Sequence, residues 1–207
     1  MARVTIYDRS VFINCPFSPD YQPIFRAMLF CVFACGYRPR CALEVSDGSE
    51  NRLSKIEAIV RQCRLGIHDI SLMGLDGRTR LARMNMPFEL GLFLGAKRFG
   101  TRLQAKKVAI VLDRAPYRYR AALSDISGQD ICVHGGSAGR AISEVRDWLN
   151  SFDQAPSNIP GGHHIATRYR AFVRQLPAAA QEQRLRVAEL TYADICRAME
   201  SWLDVNF

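Results

Sequence analysis

Short apolar runs alternate with longer segments of helical period along residues 1–150. The apolar runs predict strands at 11–15, 65–71, 106–113 and 129–135, and residues 37–44 form a poorer candidate for a fifth. Between them, apolar residues recur about every 3.6 positions, which predicts helices at 21–35, 51–63, 85–100 and 138–152. Gly36 is a natural end for the first helix, and Pro39 favours an edge position for the second strand. A regular succession of strand and helix predicts a parallel sheet with helices on both faces.

The remaining residues follow a different pattern. Turn-forming residues fill 153–164, which predicts a linker between an α/β domain at 1–152 and a helical C-terminal extension at 165–207. The extension is predicted to hold helices at about 165–176, 178–189 and 191–204, with breaks at Pro177 and Thr191. Because about 43 residues are too few for an independent core, we expect it to pack on the domain or on a partner chain. The predicted fold class is therefore α/β, a flavodoxin-like five-stranded parallel sheet with a helical C-terminal extension.

The composition indicates in which cellular compartment the protein is expected. The 207 residues are 48% hydrophobic, enough for one sizeable core, yet no apolar run reaches the length of about 18 residues that predicts a membrane span. The first ten residues lack the apolar segment of a secretory signal. Seven scattered cysteines form no CxxC pair, which favours buried reduced thiols over a metal site or a disulfide framework. We therefore expect a cytoplasmic protein without a bound metal.

The formal net charge of +8 indicates an affinity for anions. Arginines cluster at 78–83, 113–120 and 181–187. Such a surface attracts phosphates, whether of a nucleotide or of nucleic acid, although a solvated basic surface without a ligand is an equal alternative. No zinc-finger, basic-zipper or RNA-recognition motif is present, so nucleic acid is the weaker of the two partners.

Polar side chains stand where the predicted strands end, the edge at which open parallel sheets bind ligands. The end of the first strand supplies Asn14, with Phe17 shortly after it, and the end of the third strand supplies Asp69 and Ser71. Asp69 suits either a ligand hydroxyl or an Asx turn, and Phe17 suits either stacking on a base or covering the strand end. Less specific candidates at the same edge are Cys15, His68, Asp113, Asp125 and Asp130. We expect Cys15 to be a buried thiol and His68 to be a core or surface histidine.

Glu89 is the unusual residue of the predicted helix "NMPFELGLFLGAKRFG" at 85–100. It shares a helix face with Met86 and Phe93, where a carboxylate without partners would be costly to bury. A capping box does not explain it, because Glu89 lies one position too far from Asn85. Two explanations remain open, an ion pair with an arginine of the preceding loop and a carboxylate that faces a ligand cleft.

The candidate ion-pair partners in that loop are Arg78, Arg80 and Arg83. Gly91 and Gly95, four residues apart, form a flat stripe on the helix, which we expect to pack closely against the sheet.

Three segments resemble one protein group. "FINCPFSPDYQPIF", "GIHDIS" and "MPFELGLFLGAKR" are similar to the nucleoside 2-deoxyribosyltransferase-like and TIR (Toll/interleukin-1 receptor)-like proteins. The match covers roughly residues 10–135 and is carried by Asp69, then by Asn85, Glu89, Leu90 and Gly91. In that group, a flavodoxin-like sheet carries a glutamate at the start of a helix after the third or fourth strand.

The resemblance implies chemistry at an N-glycosidic bond. Glu89 would attack the anomeric carbon of an N-riboside or stabilise the charge that develops there. It would be kept ionised by its place in the first helical turn. The other predicted substrate-binding residues are Asn14, Phe17, Asp69, Ser71 and Asn85. No cofactor is implied, because NAD would be a substrate.

The predicted function is thus hydrolysis or transfer at the N-glycosidic bond of NAD or a nucleoside, in bacterial defence or nucleotide signalling. The group also implies a homo-oligomer or a partner protein. The alternative is a non-catalytic module that senses a nucleotide or binds a protein.

Overall fold

The computed structural model describes residues 4–44, 47–74, 82–152 and 155–207. Its centre is one parallel sheet of strands β1 (Ser10–Asn14), β2 (Arg38–Arg40), β3 (Leu65–Asp69), β4 (Val108–Asp113) and β5 (Ile131–Val133). The strand order is β2-β1-β3-β4-β5, which confirms the predicted flavodoxin-like sheet. Pro39 lies in β2 at one edge, where a missing N–H does not interrupt the sheet.

Seven α-helices accompany the sheet in the described ranges. They are α1 (Ile6–Arg9), α2 (Gln22–Ala34), α3 (Arg52–Gln62), α4 (Asn85–Phe99), α5 (Ala138–Asn150), α6 (Gly162–Glu182) and α7 (Tyr192–Asn206). The helix α2 ends as predicted before Gly36, which adopts a positive φ of 74° that other residues rarely take. No helix in these ranges is long and apolar enough to cross a membrane.

Alternate residues of β1 enter the cores on the two faces of the sheet. Val11 and Ile13 belong to the larger core, which α2, α5, α6 and α7 also form. Phe12 points to the other face and packs with residues of α3 and α4. Because both faces are covered, every residue of β1 and β3 is buried, which explains the continuous apolar runs in the sequence.

The C-terminal helices complete the larger core. The Phe30 ring of α2 lies 5.6 Å from the rings of Tyr169 and Phe172 in α6, and 5.8 Å from that of Trp202 in α7. The Tyr169 hydroxyl donates a 2.9 Å hydrogen bond to the Pro23 carbonyl. Helix α2 is therefore enclosed between the sheet and the C-terminal helices.

The predicted break at Pro177 is wrong, because α6 runs through that residue to Glu182. Pro177 lies on the exposed side of the helix, where water can hydrate the carbonyl that its missing N–H leaves free. On the opposite side, Phe172, Leu176 and Ala180 are buried and hold the helix in place. Tertiary packing thus outweighs the local cost of proline, and the described extension contains two helices.

The prediction that Gly91 and Gly95 pack against the sheet is also wrong. A Cβ atom added at either position would meet no described atom within 4 Å. Gly66, in β3, differs, because an added Cβ would lie 2.7 Å from the His68 ring and 2.8 Å from Phe93.

We expect Gly91→Ala and Gly95→Ala each to raise the free energy of unfolding by about 0.5–1 kcal/mol. Alanine restricts the unfolded chain, favours the helix and meets open space at both positions. Urea unfolding of the two variants measures the gain. Gly66→Ala is the matched control and should destabilise the protein. A loss of stability in the Gly91 or Gly95 variant would show that other atoms pack against this face of α4.

Candidate functional site

A cleft of about 450 Å³ opens at the carboxyl ends of β1 and β3. The chain leaves β1 towards β2 on one side and reaches β3 on the other, so the cleft lies at the switch point where such folds bind ligands. Four of the predicted site residues line it together, namely Asn14, Phe17, Asn85 and Glu89. Arg52 and Arg83 line it as well.

Glu89 is a buried carboxylate in the wall of this cleft. Its residue surface is 7% exposed, and its Oε1 lies 3.9 Å from a guanidinium nitrogen of Arg52. Burial raises the pKa of the Glu89 carboxyl above its ordinary value, and the positive charge of Arg52 opposes that shift. Glu89 therefore both faces a cleft and has a cationic neighbour, so the two explanations for its position are not exclusive.

Two expectations about Glu89 change. Helix α4 begins at Asn85 after Met84, which places Glu89 fifth in the helix and beyond its first turn. The helix terminus therefore does not hold the carboxylate ionised, and its pKa is raised rather than lowered. The cation beside it comes from α3, whereas Arg78 and Arg80 lie outside the described residues.

Asn14 fixes the position of α4 relative to the sheet. It ends β1 directly beside His68 of β3, and its side chain is almost fully buried. Its Nδ2 donates a 2.8 Å hydrogen bond to the Met86 carbonyl in the first turn of α4 and lies 3.1 Å from His68 Nδ1. Asn14 thus ties the strand end to the helix that carries Glu89.

Asp69 and Ser71 lie in a buried hydrogen-bond network and are not among the cleft-lining residues. Asp69 Oδ1 accepts the Ser71 N–H at 2.8 Å, which is an Asx turn, the alternative that the sequence had left open. Asp69 Oδ2 accepts the Tyr21 hydroxyl and lies 2.9 Å from His134 Nε2. Burial, together with the charge of Asp69, raises the pKa of Tyr21, so its hydroxyl stays protonated and donates.

The trio of Ser71, His134 and Asp69 is not a catalytic triad. A triad uses the two ring nitrogens separately, one for the serine and one for the carboxylate. Here Ser71 Oγ, at 2.8 Å, and Asp69 Oδ2 both approach Nε2. His134 Nδ1 accepts the Gly136 N–H at 3.0 Å, so the neutral ring carries its proton on Nε2. The network therefore orders the strand ends and does not activate Ser71.

Other sequence candidates are explained by burial. Cys15 lines the cleft, but burial and the nearby charge of Asp69 raise its thiol pKa well above the ordinary value, which opposes a nucleophilic thiolate. His68 is a core histidine, with its ring edge-on to Phe12 and Phe93. Phe17 lies edge-on to Phe25 at 5.1 Å between ring centroids and contributes an aromatic surface to the cleft.

His68 should make the protein sensitive to mild acid. Burial, with a smaller contribution from the charge of Lys107, lowers the His68 pKa from 6.5 to about 3. As the pH falls below 6.5 the unfolded chain takes up this proton first, so stability that is complete above pH 6.5 is lost progressively towards pH 3. We expect about 2 kcal/mol of loss between pH 7 and pH 5.

Urea unfolding across that pH interval measures the slope. In His68→Gln, whose amide can still accept from Asn14, this loss of unfolding free energy in acid should be absent. An equal slope in both proteins would assign the acid sensitivity to other groups.

Sequence reasoning missed three residues of this region. Arg52 is the first residue of α3. In a parallel α/β fold the helices begin at the edge where the strands end, so the first residue of a predicted helix is a candidate for the ligand site. His134 directly follows β5 and carries the same signal. Tyr21 closes a 3-10 turn at Pro19–Tyr21, and no sequence pattern indicates its bond to Asp69.

No protein-family model matches this chain, and a comparison with curated proteins finds no match either. The fold and the site therefore define its class, a flavodoxin-like α/β protein with a buried carboxylate in the cleft at the β1/β3 switch point. Within the ranges that the structure describes, no group of three or more His, Cys, Asp or Glu side chains could hold a metal ion.

Proposed function

We propose that this cleft binds a nucleotide or nucleoside and that Glu89 promotes cleavage of its N-glycosidic bond. The supporting observation is the placement of one buried carboxylate in a cleft at the β1/β3 switch point, beside Asn14, Phe17 and Asn85. The resemblance of three sequence segments to deoxyribosyltransferase-like and TIR-like proteins points to the same chemistry. NAD and deoxynucleosides are the candidate substrates.

The proposed step is a heterolytic cleavage at C1′ of the ribose. The C1′–N bond breaks, its electron pair moves to the nitrogen, and positive charge develops on the sugar. Nicotinamide leaves NAD as a neutral molecule and needs no proton. The Glu89 carboxylate stabilises the positive sugar or bonds to C1′. Water then adds to C1′, breaks any bond to Glu89 and releases a proton, which is taken up by a base that leaves a deoxynucleoside as an anion.

The burial of Glu89 and the charge of the substrate both favour this step. A carboxylate in a water-poor wall interacts more strongly with a developing cation than one in bulk water does. The positive charge of a pyridinium substrate also lowers the pKa of Glu89 and so keeps it ionised when the substrate is bound. Phe17 supplies an aromatic surface for a base, and Asn85 supplies polar atoms at the start of α4.

The test is an assay of the purified full chain with NAD and, separately, with deoxynucleosides. Release of free nicotinamide or free base, followed by chromatography, is the expected result. Because related chemistry is often tied to assembly, we also propose a homo-oligomer, and sedimentation of the assayed sample measures its mass. Tight nucleotide binding without product in any assembled form would favour a non-catalytic nucleotide sensor.

We propose a biological role from the sequence resemblance and a cytoplasmic location from the state of the cysteines. A role in bacterial defence or nucleotide signalling rests on the resemblance alone. All seven cysteines are free and five are buried, which suits the reducing cytoplasm.

A further inference from the structure

Arg52 occupies an electrostatically unfavourable position at the mouth of the cleft. It is the first residue of α3, directly after the cap Asn51, whose side chain accepts the Ser54 N–H at 2.9 Å. The amino end of a helix carries partial positive charge, so a cation there is disfavoured. Its side chain is also 59% exposed, which leaves most of it in solvent.

The contact between Arg52 and Glu89 is loose compared with another arginine pair at this edge of the sheet. Arg118 Nε donates a 3.0 Å hydrogen bond to Asp113, and Arg118 also donates to the Ile70 carbonyl at 2.8 Å. The Arg52–Glu89 separation of 3.9 Å exceeds hydrogen-bond range, and among the described residues no hydrogen bond fixes the Arg52 guanidinium. Arg52 therefore places a positive charge near the Glu89 carboxylate without a hydrogen bond that holds the two side chains together.

We propose that Arg52 is the specificity-determining residue of the cleft, which turns from Glu89 to a phosphate of the ligand and so selects nucleotides over nucleosides. This inference rests on the proposed function, since it assigns the substrate class of the same site. A phosphate offers Arg52 a charge-assisted, bidentate hydrogen bond that Glu89 does not make at 3.9 Å.

The same movement prepares the cleft for cleavage. When Arg52 turns to the phosphate, its positive charge leaves Glu89, and the carboxylate is free to face the positive C1′ centre. Arg83 is a second arginine among the residues that line the cleft. The cleft would then hold an anionic group at its mouth and a cationic centre at Glu89, an arrangement that a neutral nucleoside matches only in part.

The experiment compares ADP with adenosine, which share base and ribose and differ only in the phosphates. Calorimetric titration of the full chain with each compound gives two dissociation constants and their ratio. We expect ADP to bind about 10–100-fold more tightly than adenosine, as one charged hydrogen-bonded contact would produce. In Arg52→Gln the ADP affinity should fall towards that of adenosine, whereas adenosine binding should change little.

Arg61→Gln is the matched control, because Arg61 is an exposed arginine of the same helix outside the cleft. It should keep the wild-type ratio, and Arg52→Lys should keep part of it. Equal binding of the two compounds by the wild type, an equal loss in the Arg61 variant, or no binding of either compound would each overturn the inference. An Arg52-dependent preference without any N-glycosidic cleavage would support the inference and reject the proposed catalysis.

Discussion

Replacing Glu89 with Gln should lower the turnover of NAD or deoxynucleosides at least about 100-fold and should stabilise the folded protein. The amide keeps the shape of the side chain but cannot offset positive charge on the sugar. The gain in stability has a separate cause, since a buried carboxylate is desolvated and a neutral amide costs less to bury. We expect about 0.5–2 kcal/mol, as is common when a functional site is relieved of an unfavourable charge.

The pH dependence separates this gain from a general packing effect. Because the pKa of Glu89 is raised on folding, the folded state holds this proton more strongly than the unfolded chain does. The contribution of Glu89 to stability is therefore complete in acid and is lost as the pH rises through its folded pKa. The advantage of the Gln variant should appear near pH 7 and shrink in acid.

Product release and urea unfolding at two pH values measure both effects. Glu57→Gln is the control, because Glu57 is a partly exposed glutamate of α3 outside the cleft, and both properties should stay near wild type. Full turnover in the Glu89 variant would remove this residue from the chemistry.

Replacing Asp69 with Ala should cost about 3–5 kcal/mol of unfolding free energy. The carboxylate accepts from the Tyr21 hydroxyl and the Ser71 N–H and faces Nε2 of His134, and all these groups are buried. Alanine would leave them without their acceptor, at the cost of burying unpaired polar groups. Asp69→Asn keeps the shape and one acceptor oxygen, so it should lose less.

Urea unfolding distinguishes this structural role from the substrate contact that the sequence had predicted. Asp125→Ala, at an exposed aspartate in the connection between β4 and β5, should stay within about 0.5 kcal/mol of wild type. A stable Asp69→Ala protein with weakened nucleotide binding would instead return Asp69 to the list of ligand contacts.

The sheet was predictable because its central strands β1 and β3 are buried on both faces. Continuous apolar runs such as the one before Asn14 have few other interpretations, and the number of strands then favoured the order that is observed. The cleft followed from the same logic, since the ends of β1 and β3 are adjacent in any such sheet. Asn14 and Phe17 were therefore found from their positions alone.

The contacts between side chains could not be predicted from the sequence, because they depend on distances between helices and strands that are far apart along the chain. Asp69 has the same sequence signature whether it points into the cleft or towards Tyr21 and His134, and only packing decides between them. Arg52 lies 37 positions before Glu89, and nearer arginines looked equally suitable. Pro177 was misjudged for a related reason, because its effect on a helix depends on which side meets water.

The enclosure of α2 also has a consequence for synthesis on the ribosome. Tyr169 contacts Pro23 from 146 positions further along the chain. At translation rates of about 5–20 residues per second, the outer surface of α2 waits roughly 7–30 s for the helices that cover it. During that interval the nascent α/β portion exposes Phe30 and its apolar neighbours to solvent, and such exposed apolar surface binds chaperones and promotes self-association.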